Sequence, residues 1–104
     1  MIEKLINDEL RAANKKFPLF SSWHEAYAVI LEEVEEASEE TITIQHGLDT
    51  LWLDVRSKRV SEANKFKTIG EIRGLATRAI KELIQVAAMC DKAVISLAGE
   101  EKTE

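Results

Sequence analysis

Three glutamates, Glu32, Glu33 and Glu36, fall within five residues in a stretch of strong helix formers. Residues three and four apart share one side of a helix, so the three carboxylates converge if this stretch is helical. Like charges that close repel unless a cation or a basic group lies between them. The group is therefore either a solvated face or a site for a hard metal ion such as Mg²⁺. The spacing alone favours the solvated face.

A second set of residues follows at intervals of four, three, four and three, which places its members in one stripe along a later helix. The set comprises Arg78, Glu82, Gln85, Met89 and Lys92. Glu82 and Gln85 would offer oxygen ligands to a metal ion held by the first glutamates. Arg78, Lys81 and Lys92 would neutralise phosphate. Ordinary salt bridges between the two helices explain the same stripe equally well.

Helices must position these groups, because apolar residues recur at intervals of three and four through most of the chain. Pro18 ends the first helix, and Ser22 with Glu25 forms a capping box at the start of the second. Thr68 caps the last helix. The four predicted helices cover residues 2–16, 23–40, 46–60 and 69–97. Residues 41–45 are either a continuation of the second helix or a linker.

The predicted fold is a single all-α domain over residues 1–104, resembling a four-helix bundle, with its core at about 17–98. The last helix is apolar over more than half its surface, so it needs neighbours on several sides. A homo-oligomer, either a homodimer or a homotetramer, would bury the surplus apolar surface.

Composition limits the class of protein. The 104 residues suit one domain, and 45% apolar with 32% charged residues indicates a chain that folds in water. No membrane segment or secretion signal is present, which predicts a cytoplasmic protein without a membrane partner. Cys90 is the only cysteine, so an intrachain disulfide is excluded. The net charge of -5 argues against a nucleic-acid polymer as partner.

The two motifs together resemble those of the MazG-like all-α nucleoside triphosphate pyrophosphohydrolases, which hold Mg²⁺ between an E-E-x-x-E helix and a later E-x-x-D helix. Residues 32–36, EEVEE, match the first motif, and residues 82–86, ELIQV, resemble the second. The flanking segments WHEAYAVI at 23–30 and QVAAM at 85–89 are similar to phage-type members in particular. The resemblance covers about residues 17–92.

Two features depart from the family pattern. Gln85 stands where the family usually has Asp, and a neutral amide contributes less charge to a Mg²⁺ site. The interval between the motifs, including residues 48–67, is also longer than in compact members. These departures bear on catalysis, oligomeric arrangement and substrate choice.

The resemblance implies an enzyme that cleaves the α-β phosphate bond of ribo- or deoxyribonucleoside triphosphates, releasing a monophosphate and pyrophosphate. It implies a metal site for Mg²⁺, or alternatively Mn²⁺, built from Glu32, Glu33, Glu36, Glu82 and Gln85. Either Glu33 or Glu32 would accept the proton of the attacking water. Lys81, with Arg78 and Lys92, would bind phosphate and stabilise its developing charge.

Aromatic residues near the start of the second helix would bind the base of the nucleotide. The predicted base-binding residues are Phe20, Trp23 and His24, although Trp23 is more often a core residue at such a spacing. Two alternatives to an enzyme stay open: a noncatalytic helical interaction or regulatory protein, which Gln85 favours, and a nucleotide sensor without turnover.

Overall fold

The computed structural model describes residues 1–98, and these residues form three helices and their connections. The helices are α1 (Ile2–Lys16), α2 (Trp23–Arg56) and α3 (Glu62–Leu97). The predicted all-α class is confirmed, and the predicted bounds of the first helix agree with α1. The number of helices within residues 1–98 is three, however, and not the four that the sequence predicted. Residues 99–104, which the predicted domain includes, lie outside the described residues.

The count differs because α2 continues through residues 41–45 without a break. The alternating β-branched residues there are accommodated within the helix: the Thr41 hydroxyl donates to the Ser38 carbonyl oxygen and the Thr43 hydroxyl to that of Glu39, both at 2.9 Å. Such hydroxyl bonds to the preceding turn let threonine remain in a helix. The predicted third helix is therefore the second half of α2.

The last helix also begins earlier than predicted. Ser61 caps α3, and its side-chain oxygen accepts from the backbone N–H of Asn64 at 3.2 Å. Thr68, the predicted cap, lies inside the helix and donates to the Asn64 carbonyl oxygen at 3.2 Å. At the start of α2 the predicted Ser22 cap is present, while the Glu25 carboxylate accepts from the Ser21 hydroxyl at 2.8 Å.

Helices α2 and α3 form a long antiparallel hairpin joined by residues 57–61. The Phe20 backbone N–H, just before α2, donates to the Ser96 hydroxyl oxygen at 3.0 Å, near the end of α3. Farther along, Gly47 of α2 faces Ile72 of α3 so closely that a Cβ at Gly47 would lie 3.0 Å from Ile72 Cγ1. The absence of a side chain at Gly47 thus allows the two helices to approach each other there.

The buried core lies at the open end of this hairpin, where α1 packs against α3. Ala26 and Ala88 are almost fully buried, because small side chains allow close contact between helices. The cluster consists of Phe20, Ala26, Ala88, Met89, Ala93 and Leu97, and the half-buried Ile6, Leu10, Ala13, Val29 and Ile30 pack against it. The core therefore joins all three helices at one end of the molecule.

The other end of the hairpin has no such core. No residue from 38 to 78 is buried, and the molecule extends 68 Å along its longest axis. Its radius of gyration is 19.1 Å, whereas a compact domain of this length has a value of about 13 Å. Within residues 1–98, no helix has both the length and the apolarity needed to cross a membrane.

Candidate functional site

Glutamates from both long helices meet at the core end of the hairpin. Glu33 and Glu36 of α2 and Glu82 of α3 each place one carboxylate oxygen within 4.8 Å of the others. Glu33 and Glu82 are half-buried, while Glu36 is exposed. The antiparallel hairpin thus brings together the two motifs that the sequence separates by more than forty residues.

Gln85 lies beside two of these carboxylates. With its amide nitrogen turned toward them, it donates to Glu33 Oε2 at 2.8 Å and to Glu82 Oε2 at 3.0 Å. In this orientation the amide donors meet carboxylate acceptors, which is the arrangement that satisfies both partners. Turned by 180°, the same side chain would present its oxygen to a cation. Gln85 therefore suits a carboxylate cluster either with or without a metal ion.

The cluster raises the pKa of two of its members. The pKa of Glu33 is raised mainly by burial and then by the charges of Glu36 and Glu32, while a hydrogen bond with Glu82 opposes the shift. The pKa of Glu36 is raised first by a hydrogen bond with Glu82, and then by desolvation and the charges of Glu82, Glu32 and Glu39. Both shifts mean that full ionisation of the cluster is unfavourable when no cation is bound.

These shifts predict how the stability of the metal-free protein depends on pH. Because the raised pKa keeps Glu36 protonated in the folded state at pH values where the unfolded chain has already ionised, the free energy of unfolding should fall as pH rises above the ordinary value of 4.5. Denaturant unfolding in a chelator between about pH 4 and pH 7 would measure this. The Glu36→Gln variant should show a shallower fall, and equal slopes would contradict the prediction.

A cavity of about 550 Å³ adjoins the cluster and lies between all three helices. Its size falls in the range of about 300 to 1,000 Å³ typical of small-molecule sites. Glu32, Glu33 and Gln85 line the end nearest the cluster. The remaining lining residues are Glu9, Ala12, Ala13, Lys16, Phe17, Pro18, Phe20, Glu25, Val29, Met89 and Lys92. The cavity thus combines apolar walls with a few charged groups.

Lys92 is the buried charged residue of this cavity. The residue is only 2% exposed, and its ammonium lies 5.0 Å from the centroid of the Phe20 ring. Within residues 1–98, the ammonium has no carboxylate within ion-pair distance and donates no hydrogen bond to the protein. Within the same residues, no fully buried side-chain nitrogen or oxygen lacks a hydrogen-bond partner, so the Lys92 nitrogen retains contact with solvent through the cavity. The face of the Phe20 ring adds a cation–π contact.

The structure separates the predicted site residues into two groups. Glu33, Glu36 and Glu82 converge, Gln85 contacts two of them, and Glu32 lines the adjoining cavity. Phe20 and Lys92 also line the cavity. The remaining candidates are exposed and do not line it: Arg78, Lys81, Trp23 and His24. Arg78 lies one helical turn before Glu82, on the side of the cluster away from the cavity.

Sequence reasoning missed the contribution of α1 and of the segment that follows it. Glu9 and Lys16 of α1, together with Phe17 and Pro18, form a wall of the cavity. The only signal was the amphipathic pattern of α1, which predicts a packed face without indicating its partner.

Comparisons with known proteins do not extend this description. No known protein-family model matches the chain, and no curated protein or solved structure is significantly similar to it.

Replacing Gln85 with Asp should change the metal-free and metal-bound protein in opposite directions. Without metal, Gln85→Asp replaces two donated hydrogen bonds by a further negative charge, so the melting temperature should fall. With Mg²⁺, the added charge should tighten binding by roughly tenfold, about 1.4 kcal/mol. Thermal melts over a Mg²⁺ titration measure both effects. Gln85→Glu, with a longer side chain, tests whether charge alone is sufficient.

Proposed function

We propose that this chain is a Mg²⁺-dependent nucleoside triphosphate pyrophosphohydrolase, the activity implied by its resemblance to MazG-like proteins. It would hydrolyse the α-β phosphate bond of ribo- or deoxyribonucleoside triphosphates to a monophosphate and pyrophosphate. The observation that carries the proposal is the convergence of Glu33, Glu36 and Glu82 beside a cavity that Glu33 lines and that is large enough for a nucleotide.

The chemistry of the three donors fits a hard divalent cation. Carboxylate oxygens are the preferred ligands of Mg²⁺ and Mn²⁺. Burial of Glu33 and the hydrogen bond between Glu36 and Glu82 are the main causes of their raised pKa values, and the neighbouring negative charges, which a cation would offset, add to both shifts. Gln85 can add an amide oxygen after rotation. A bound Mg²⁺ would neutralise phosphate charge and lower the pKa of a water molecule.

The residues of the α3 stripe suit a nucleotide lying along the helix. Arg78 lies beyond Glu82 on one side, and Met89 and Lys92 line the cavity on the other. This order would match phosphates near Arg78, the scissile bond at the carboxylates, and the sugar and base inside the cavity. Arg78 therefore remains the phosphate-binding candidate.

Glu32 is the better candidate for the general base. Both line the cavity, but Glu33 belongs to the converging group and would hold the metal ion, whereas Glu32 lies outside that group and is exposed. Its carboxylate would accept the proton of the attacking water. Lys81 lies outside the cavity lining, so the proposal gives it no direct role.

The test is pyrophosphate release from a panel of ribo- and deoxyribonucleoside triphosphates with Mg²⁺ or Mn²⁺. Release from at least one triphosphate, with Glu32→Gln lowering kcat far more than it changes KM, would support the proposal. A folded protein that releases no pyrophosphate from any triphosphate with either metal would refute it. Binding without release would indicate a nucleotide sensor.

A second candidate function follows from the hydrogen bonds of Gln85. Because its amide links Glu33 and Glu82 without a cation, the cluster can be stable in a metal-free protein that retains the fold for interaction or regulation. Such a protein would show no specific stabilisation by Mg²⁺ beyond that of an inert salt at equal ionic strength.

We also propose that two copies of the chain form a homodimer through the end of the hairpin that lacks a core. Seven apolar side chains in this arm are at least half exposed, and five of them share one side of the hairpin, whereas Ile42 and Leu53 do not. The five are Leu48, Trp52 and Val55 of α2 and Phe66 and Ile69 of α3, and we call them the distal apolar face. No residue from 38 to 78 is buried, so the arm has no core of its own that covers these side chains.

Helix geometry places these five residues on one side of the hairpin. On α2, each of the three residues comes one position after a half-buried residue on the side that faces α3, as Leu48 follows Gly47 and Trp52 follows Leu51. On α3 the same offset relates Ile69 to Thr68. One position along a helix turns the side chain by about 100°. In an antiparallel pair, this turn directs the side chains of both helices away from their mutual contact and toward the same side of the pair. Two such hairpins packed face to face would complete the predicted four-helix bundle.

A further inference from the structure

We infer that Lys92 recognises a carbonyl oxygen on the base of the bound nucleotide, and so favours guanine, thymine and uracil, which carry a carbonyl where adenine carries its amino group. This inference deepens the proposed function and rests on its nucleotide substrate. It changes the role of Lys92 from phosphate binding, which the sequence predicted, to selection of the base.

The position of Lys92 argues for the base rather than the phosphates. Lys92 lies seven residues beyond Gln85 on α3, which corresponds to about 10 Å along the helix. A phosphate held at Glu33 and Glu82 is separated from the edge of its base by the sugar and the base ring, a span of similar length. The Lys92 ammonium is therefore at the end of the cavity where the base would lie.

The surroundings of Lys92 also suit a base. Phe20, Val29 and Met89 provide apolar walls, and the Phe20 ring lies beside the ammonium at 5.0 Å. An apolar wall with a single buried donor is typical of sites that fix the orientation of a flat ring. A triphosphate carries several negative charges and would make no favourable contact with those apolar walls.

The chemistry of an ammonium explains the expected selectivity. It has three donors and no acceptor, so it pairs with a carbonyl oxygen and not with an amino group. Guanine, thymine and uracil present carbonyl oxygens at positions where adenine presents an amino group. The 2% exposure of Lys92 makes this discrimination strong, because a bound base would exclude the water that could otherwise satisfy the ammonium.

The experiment compares binding of three probes by calorimetry in the presence of Mg²⁺: dTMP, dAMP and inorganic tripolyphosphate. The protein should bind dTMP at least about tenfold more tightly than dAMP. Lys92→Met, which keeps a side chain of similar length in the buried position, should weaken dTMP binding by about 10- to 100-fold. It should change the binding of dAMP and of tripolyphosphate by less than about twofold.

Two further variants complete the design. Lys15→Met removes one exposed lysine of α1 that does not line the cavity, so it should leave all three affinities unchanged. Lys92→Arg keeps a buried donor and should preserve the preference for dTMP. If Lys92→Met weakens the binding of all three probes equally, Lys92 is a phosphate ligand and the inference is overturned. Unchanged binding of all three probes, or a protein that does not bind dTMP, would also overturn it.

The role of Lys92 and the proposed hydrolase activity can be refuted independently. A preference for dTMP that depends on Lys92, found in a protein that releases no pyrophosphate, would refute the hydrolase while the base site remains. Pyrophosphate release that is equally fast for adenine and thymine substrates, and unaffected by Lys92→Met, would retain the hydrolase and refute the role of Lys92.

Discussion

The double variant Glu33→Gln/Glu36→Gln is expected to lose stabilisation by Mg²⁺ completely and to lower pyrophosphate release by roughly 100-fold or more. Removal of one electrostatic stabiliser of a transition state has an effect of this size. Both carboxylates converge with Glu82, so their neutralisation leaves a single charged ligand in the group. One carboxylate with neutral amides does not hold Mg²⁺ firmly in water.

The size of the lost stabilisation follows from mass action. At a Mg²⁺ concentration ten times the Kd, binding stabilises the native state by about 1.4 kcal/mol. For a chain of this length, that corresponds to a rise in Tm of about 6–11 °C. The double variant should show no such rise. Its Tm without metal at neutral pH should be higher than that of the unmodified chain, because neutral amides remove a partly buried charge at position 33 and the repulsion among Glu32, Glu33, Glu36 and Glu82.

A charge-matched control separates the cluster from general effects of charge. Glu35→Gln/Glu71→Gln also removes two carboxylates, but both are exposed and neither belongs to the converging group. This control should keep the response to Mg²⁺ and the activity. If the two double variants respond alike in thermal melts, the cluster is an ordinary solvated face and the metal site is refuted.

The variant Trp52→Glu/Ile69→Glu is expected to convert a dimer of the 11.7 kDa chain into a monomer. Trp52 is 60% exposed and Ile69 is 50% exposed, one on each helix of the distal apolar face. In a dimer both would be buried, and two charges per copy placed in that interface would be desolvated without partners. Light scattering coupled to gel filtration, at about 10 to 100 µM protein, measures the mass directly.

The control for this prediction lies on the same arm but on another side of it. Thr50 is exposed and outside the distal apolar face, so Thr50→Glu should remain a dimer. An unmodified chain that is monomeric throughout this concentration range would contradict the proposed homodimer. A dimer that persists in Trp52→Glu/Ile69→Glu would place the interface elsewhere.

Local features of the chain were predictable from the sequence because they depend on residues three or four apart. The bounds of α1 and the cap at Ser22 agree with the structure. So does the convergence of Glu33 and Glu36 on one side of α2. Helical periodicity, capping and the effect of Pro18 act within about one turn of helix, so no knowledge of the rest of the chain is needed.

The length of α2 and α3 was less predictable because local propensity competes with packing. The β-branched residues at 41–45 and the polar residues at 61–67 weaken the helical pattern, and the sequence therefore placed ends there. In the structure α2 and α3 pack along each other, with Gly47 against Ile72, and this contact supports helix where propensity alone is weak.

The composition of the site was decided by tertiary structure. The sequence indicated that residues 32–36 and 82–85 could face each other, but only the register of the hairpin brings Glu82 to Glu33. The side on which α1 packs determines that Lys92 is buried in the cavity and that Trp23 is exposed outside it. Sequence alone determined which residues share a helix face, whereas the packing of the three helices decided which faces meet, because that depends on contacts between residues distant in the chain.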